Sequence, residues 1–167
     1  MIRTLILLLS LTAISTVSAE ELKVISDNFR GDQQKGLSVF SGNVKLTKGS
    51  DELNASKITI YTDKDKKPYK YVAEGNVLFY IVTDQQEKYR GKAESAIYLP
   101  NENEYQFYTK VDLLRLDDYR RVKGDKVVVN ISQGNAAAES GTSNEPIMMI
   151  FTLQDKDKTQ KTKSTSK

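Results

Sequence analysis

Three residue types are missing from this chain of 167 residues: it has no histidine, no cysteine and no tryptophan. Without histidine and cysteine it can form neither a Ser-His-Asp nor a Cys-His catalytic group, and it lacks the usual ligands of zinc. The absence of cysteine also excludes disulfides and a lipid-anchored cysteine. Packing alone must therefore stabilise the folded part.

The chemistry that remains open is that of carboxylates, lysine and tyrosine, such as a glycosidase pair. The candidate acids are Glu74, Glu94, Asp117, Asp118 and Asp125. They lie beside glycine, lysine or arginine in stretches typical of turns or solvent-exposed faces. Gly31 and Gly36 lack the Lys-Ser/Thr pair that would complete a phosphate-binding loop. We therefore expect no enzyme, no cofactor and no metal site.

The N-terminus has the pattern of a secretory signal peptide. Arg3 precedes an apolar stretch over residues 5–14, and Val17-Ser18-Ala19 stands just before Glu20. We expect cleavage after Ala19 and a soluble exported protein. The alternative is an uncleaved membrane anchor, although polar residues interrupt a segment that would need about 20 apolar residues to span a bilayer.

Positive charge is concentrated at the C-terminus. Residues 154–167 contain five lysines and two aspartates, whereas the whole chain has a net charge of +3. This segment is poor in apolar residues and is predicted to be disordered. Because nucleic-acid binding requires a basic face on the folded part, nucleic acid is not expected as a partner.

From residue 22 onward, apolar residues recur at every second position. The pairs include Val44 and Leu46, Ile58 and Ile60, Val77 and Phe79, Val111 and Leu113, and Val127 and Val129. This period predicts strands, and short turn segments rich in Gly, Asn, Asp and Pro separate them at 31–36, 48–51, 63–68, 84–88, 100–104, 117–121 and 133–135. No segment could form the crossover helices of a parallel sheet. The chain is therefore predicted to be all-β, built from serial hairpins.

An internal repeat accompanies these strands. Ser41-Gly42-Asn43-Val44 recurs as Glu74-Gly75-Asn76-Val77 and, in degenerate form, as Tyr108-Thr109-Lys110-Val111, at intervals of 33 and 34 residues. Such periods indicate stacked supersecondary units that cannot bury their apolar faces alone. The glycine permits a positive φ or a bulge that redirects the strand, and Thr109 departs from this in the third copy.

A continuous apolar run, residues 147–153, follows Pro146. A run that is apolar on both faces needs cover on both. Two interpretations stay open: an ordinary core strand, or a terminal strand that meets a partner through an adaptable methionine-rich surface.

These features together resemble the OstA-like domain of the LptA lipopolysaccharide-transport family. The resemblance rests on the order of the opening strand at residues 22–27, the two Gly-Asn steps, and the segments Gly91-Lys92-Ala93 and Val122-Lys123-Gly124-Asp125-Lys126. It covers about residues 22–153, and the predicted domain spans 20–153, between a signal peptide at 1–19 and the tail at 154–167. It implies an open β-jellyroll in which two facing, V-shaped antiparallel sheets are open at both ends.

The resemblance also implies a function. Members of the family carry lipopolysaccharide across the periplasm between an LptC-like inner-membrane protein and an LptD-like outer-membrane protein. In such a fold the lipid A acyl chains would contact inward side chains, and counting alternate positions from the repeats predicts which ones. They are Val44, Leu46, Ile58, Ile60, Val77, Phe79, Tyr98, Val111, Leu113, Val127 and Val129. Ile97 competes with Tyr98 for the interior.

Open sheets also leave unpaired edge strands that recruit other strands. The predicted docking residues are Leu22 and Val24 at one end and Ile147, Met149 and Phe151 at the other. Joining unlike ends builds head-to-tail chains rather than closed rings. Two alternatives remain: a periplasmic β-scaffold or chaperone with a filled core, and an LptC-like subunit that keeps its membrane anchor.

Overall fold

A computed structural model describes residues 21–141 and 146–151. The predicted signal peptide and the lysine-rich tail lie outside these residues, as do the last two positions of the apolar run. Within the described part, no helix has the length and hydropathy needed to cross a membrane.

The described residues form ten strands and one short 3-10 turn at Pro100–Glu102. The strands are β1 Leu22–Ile25, β2 Asn28–Asp32, β3 Leu37–Lys48, β4 Asp51–Thr62, β5 Pro68–Val82, β6 Lys88–Leu99, β7 Glu104–Arg115, β8 Arg121–Asn130, β9 Asn135–Glu139 and β10 Met148–Ile150. The all-β prediction is confirmed, and each predicted turn segment overlaps a connection between strands.

The strands pair antiparallel in one continuous sheet of order β1-β3-β4-β5-β6-β7-β8-β10, with β2 added to β3 and β9 to β8. Each neighbouring pair from β3 to β8 shifts register near its middle, and the β4–β5 pair shifts a second time at its end, between Tyr61 and Thr62. A shift of this kind bends and twists the strands. Aligned across six strands, the shifts form a fold line that divides the sheet into two layers.

The first layer contains residues 37–41, 57–62, 68–74, 95–99, 104–108 and 126–130, with β2 and β9 at its edges. The second layer contains residues 44–48, 51–55, 77–82, 88–93, 111–115 and 121–124, with β1 and β10 at its edges. The layers face each other: Phe79 of the second stacks on Phe107 of the first, with ring centroids 3.8 Å apart.

The sequence repeat creates the fold line. Gly42 and Asn43 have φ of 79° and 45°, and the equivalent Gly75 and Asn76 have 81° and 50°. Successive positive φ values are costly for most residues but tolerated by glycine and asparagine. The Gly-Asn steps therefore bend β3 and β5 at the same height.

The third copy has the same backbone despite its different residues. Thr109 and Lys110 have φ of 64° and 53°, so β7 bends where β3 and β5 do. Thr109 therefore differs from the repeat glycine in residue type but not in backbone conformation. A β-branched residue in this region is strained.

Two strands lack a signal in the sequence. Strand β2 overlaps the segment predicted as a turn at 31–36, and β9 follows the last predicted turn. Both are edge strands whose residues are nearly all exposed. Since they bury little, neither shows alternating apolar residues.

Candidate functional site

The interior between the two layers is the candidate site, and its lining is apolar. All eleven side chains predicted to face inward do so. Nine are buried, and Leu46 and Tyr98 are partly buried and pack against the others. The interior position of Tyr98 also settles its competition with Ile97, which is not part of the core cluster.

A column of aromatic rings fills the centre of the interior. Phe79 stacks on Phe107, Tyr105 lies 6.0 Å from Phe107, and Tyr98 stacks on Tyr105 with centroids 4.4 Å apart. Tyr71 continues the column at 5.6 Å from Tyr98. Burial raises the pKa of the Tyr71 hydroxyl above its ordinary value. Tyr71, at one end of the column, is therefore neutral near pH 7.

Residues Tyr105 and Phe107 were absent from the predicted lining, although Phe107 is completely buried. A signal for them exists in the repeat. Phe40 and Ala73 immediately precede the first two copies, and Phe107 holds the same place before the third. Extending the repeat by one residue identifies Phe107, and the period of two then adds Tyr105.

Little space remains between the layers. An apolar cavity between the layers measures about 30 Å³ and is bounded by residues that include Leu22, Leu46, Leu53, Tyr71 and Tyr98. This is room for about two water molecules. In the arrangement described, side chains occupy the space that a long acyl chain would need.

Polar contacts join the two layers at the mouth, the side opposite the fold line. The Tyr105 hydroxyl of the first layer donates a 2.9 Å hydrogen bond to the Asp51 carboxylate of the second. The backbone N–H of Val82 donates to the other oxygen of Asp51 at 2.9 Å. Farther along, the Gln85 amide donates to the Gln133 carbonyl at 3.1 Å. Individual side chains, rather than a ladder of backbone bonds, thus connect the layers here.

Both ends of the interior carry exposed apolar side chains. At the β2 end, Phe29 packs on Phe40 with centroids 5.0 Å apart, yet 63% of its surface is exposed. At the β10 end, Met149 pairs with Val122 in the sheet and is 54% exposed. The apolar lining therefore continues to the surface at both ends.

The predicted docking residues lie on the two edges of the second layer. Leu22 and Val24 of β1 turn inward and pack against the core. Met149 lies in β10, and Ile147 and Phe151 flank that strand; all three are exposed. The edges were thus placed correctly in the fold, while their role in docking stays a prediction.

The five candidate acids are scattered over the surface and engaged in structural contacts. The Lys57 ammonium donates to Glu74 at 2.8 Å, and Lys110 lies 3.4 Å from Glu94. Asp118 pairs with Arg115 at 2.8 Å. Asp117 accepts a hydrogen bond from the Lys88 backbone, and Asp125 from the Gly141 backbone. Each of the five side chains is thus engaged by a cation or by a backbone N–H group.

Comparison with known proteins decides the family. Residues 23–135 match the family described as LptA/(LptD N-terminal domain) LPS transport protein. The chain belongs to this family. The resemblance to LptA inferred from the repeats and their order is therefore confirmed, and the family is one of transport proteins rather than enzymes.

A solved structure supports the same fold. The crystal structure of LptH, the LptA-homologous periplasmic component of the lipopolysaccharide transport device from Pseudomonas aeruginosa, is similar with a TM-score of 0.71 and 17% identity. The match covers 80% of this chain and 96% of LptH. No curated protein matches significantly. The LptA-family fold, an open antiparallel jellyroll, is thus established for this chain.

Proposed function

We propose that this protein carries lipopolysaccharide through the periplasm and shields the lipid A acyl chains between its two layers. The observation that carries the proposal is an apolar interior that runs to exposed apolar side chains at both ends, at Phe29 and at Met149. A core that served packing alone would have no reason to reach the surface at both ends. Membership of a lipopolysaccharide-transport family supplies the ligand class.

The energetics fit a conduit. Burying a methylene group gains about 0.8 kcal/mol, and the membrane that the lipid leaves offers about the same. Transfer between membrane and interior is therefore close to thermoneutral, which permits both binding and release. The direction of transport must come from an external source of energy, which the family resemblance assigns to a separate ATP-driven extractor.

Binding requires the two layers to separate, because a cavity of about 30 Å³ cannot hold an acyl chain. We place the opening at the mouth. The layers are continuous at the fold line, whereas side-chain contacts such as Tyr105 to Asp51 and Gln85 to Gln133 link them at the mouth. An acyl chain that enters there replaces apolar contacts between the layers by apolar contacts with the lipid, while water replaces the hydrogen bonds that open at the mouth.

We further propose that the edges of the sheet dock partners. Backbone groups of β1 and β10 face outward along opposite edges of the second layer, and such edges accept further strands. The expected partners are a second copy in head-to-tail order, an LptC-like inner-membrane protein and an LptD-like outer-membrane protein. Light scattering over a concentration series tests self-association, and a constant monomer mass would count against it.

Export and localisation in the periplasm complete the proposal, since residues 1–19 lie outside the described part. Determining the N-terminus of the protein isolated from cells decides this point. A first residue of Glu20 supports a cleaved signal peptide, whereas a chain that still begins at Met1 supports the LptC-like alternative with a retained anchor.

Photocrosslinking in living cells tests the lipid-binding interior. A photoreactive amino acid at Phe79 or Ile60 should capture lipopolysaccharide. The matched controls are Val72 on β5 and Tyr61 on β4, which point to the outer face of the first layer on the same strands. Capture at the inner positions only supports the carrier, and equal capture at inner and outer positions contradicts it.

A scaffold or chaperone with a permanently filled core is the alternative that the small cavity favours. It predicts no capture of lipopolysaccharide at Phe79 or Ile60. As a positive control, the same residue introduced at the exposed end position Phe29 should react whenever lipid approaches that end. Capture at Phe29 without capture at the two inner positions would support the scaffold.

A further inference from the structure

The outer face of the second layer is strongly basic, although the chain outside its two terminal segments has almost no net charge. Strand alternation turns one set of side chains away from the core. Seven of these are cationic: Lys23, Lys45, Lys88, Arg90, Lys92, Arg121 and Lys123. Two are carboxylates, Glu52 and Asp112. We call this surface the basic face.

The outer face of the first layer is balanced. It carries four cations, Arg30, Lys57, Lys70 and Lys126, and four carboxylates, Asp32, Glu74, Glu104 and Glu139. Two of the cations are neutralised in ion pairs, Lys57 with Glu74 at 2.8 Å and Lys126 with Glu139 at 2.9 Å. The net positive charge of the sheet is therefore confined to one side.

The expectation that positive charge lies mainly in the C-terminal segment was thus incomplete. On the basic face, Glu52 pairs with Lys45 at 3.1 Å, and Asp112 binds Arg121 through two hydrogen bonds of 2.6 Å. Among the described residues, no carboxylate forms an ion pair with Lys23, Lys88, Arg90 or Lys92. Lys23, Lys88 and Arg90 therefore remain available to an external anion, whereas the charge of Lys92 also acts on Asp112, its neighbour across the strand pair.

The arrangement of these cations fits an extended anionic surface rather than a single anion. The seven cations of the basic face lie on β1, β3, β6 and β8, and at about 4.8 Å per strand the distance from β1 to β8 is roughly 30 Å. Exposed apolar side chains lie among them: Ile25 and Leu78 are 54% and 53% exposed, and Met148 and Ile150 are half-exposed at the β10 edge. Apolar side chains between cations gain from contact with lipid but not from contact with phosphate alone.

We propose that the basic face docks this protein onto the surface of a membrane rich in anionic phospholipid. Lysine predominates on the face, and lysine is depleted in protein–protein interfaces but effective against an anionic leaflet. Docking by this face leaves both ends of the interior and the mouth free. It does not depend on acyl chains binding inside.

Vesicle co-sedimentation of the protein, purified as the cell processes it, tests the proposal. The probes are vesicles of phosphatidylcholine alone and of equal parts phosphatidylcholine and phosphatidylglycerol. Binding to the anionic vesicles only is expected, and it should weaken with added salt. Failure to bind the anionic vesicles at low salt would overturn the proposal.

Two double variants with the same change of charge locate the binding surface. Arg90→Gln with Lys92→Gln alters the basic face, and Arg30→Gln with Lys70→Gln alters the outer face of the first layer. At about 1 kcal/mol per cation near an anionic surface, the first should raise the lipid concentration for half-binding by about 25-fold. The second should change it less than about twofold. The terminal segments are common to both variants, so equal effects would contradict the proposed face.

The absence of tryptophan provides an independent readout. Leu78→Trp places a single indole on the basic face, and Val72→Trp places one on the outer face of the first layer. A blue shift on adding anionic vesicles is expected for the first and not for the second. Duplex DNA and an acidic protein serve as competitors: binding either one more tightly than the vesicles at physiological salt would overturn the membrane assignment.

Discussion

The sharpest test of the fold concerns Thr109, which holds the place of a repeat glycine with a φ of 64°. In the left-handed region a side chain costs about 1–2 kcal/mol, and β-branching adds to that strain. Replacing Thr109 by glycine removes this cost but enlarges the conformational freedom of the unfolded chain, which costs about 0.4–1 kcal/mol. We therefore expect Thr109→Gly to stabilise the protein by about 0.5–1 kcal/mol.

A matched control gives the opposite sign. Thr47 lies on an outer face of β3 in extended backbone, where it pairs with Glu52. Glycine there gains nothing from relief of strain and loses β-propensity, so Thr47→Gly should destabilise the protein by about 1 kcal/mol. The two identical substitutions should thus differ by about 1.5–2 kcal/mol.

The reverse substitution belongs to the same test. A Cβ atom at Gly75 would lie 2.7 Å from the Ser56 hydroxyl oxygen and 2.9 Å from the Ser56 Cβ, at a φ of 81°. Gly75→Ala should therefore cost about 2–3 kcal/mol from strain and overpacking together. Ser56→Gly removes the contact and also the hydrogen bond from the Ser56 hydroxyl to the Gly75 carbonyl, so the double variant is compared with Ser56→Gly alone; that difference should be only the part that the backbone causes.

Urea unfolding followed by far-ultraviolet circular dichroism measures all of these variants. The chain has no disulfides, and the two-state assumption is checked by following tyrosine fluorescence in parallel. Midpoints are compared at constant m-value. If Thr109→Gly destabilises the protein as much as Thr47→Gly does, then the backbone of β7 at Thr109 is not strained and the reasoning fails.

Three further predictions concern single contacts. Phe107→Ala removes a completely buried ring and should lower the free energy of unfolding by about 3–5 kcal/mol, and a loss below about 1 kcal/mol in urea would show that the ring is not structural. Tyr105→Phe removes the hydroxyl that bonds to the Asp51 carboxylate across the mouth and should cost about 1–2 kcal/mol, whereas no change would mean that solvent replaces the bond. Hydrogen bonds from Arg121 hold the pKa of Asp112 below its ordinary value. The stability that Asp112 contributes is therefore complete above its pKa in the unfolded chain, about 4. It is lost as the pH falls through the lower pKa of the folded protein. Unfolding of Asp112→Asn and the wild type as a function of pH should therefore converge in acid, and a constant difference between them would contradict the assigned ion pair.

The all-β fold, the hairpin order and the inward set of side chains could be read from the sequence. Strands that bury one face must alternate, so Val77 and Phe79 reveal both their strand and its orientation. Strands β2 and β9 were not predicted, because their residues are exposed and show no such alternation. Phe107 was overlooked in the residues before the degenerate repeat, although its burial is complete.

What the amino-acid sequence determined by itself is local: which segments extend, where they turn, and which side chains share a face, because these follow from the geometry of one strand. Three properties required the tertiary structure. The fold line exists only because register shifts in neighbouring strands align. The aromatic column forms because Phe79 and Phe107 meet from different layers. The basic face forms because strand pairing brings together cations from β1 to β8. Such a face cannot be recognised from the net charge of a chain, since strand alternation and pairing decide on which side of the sheet each charge lies.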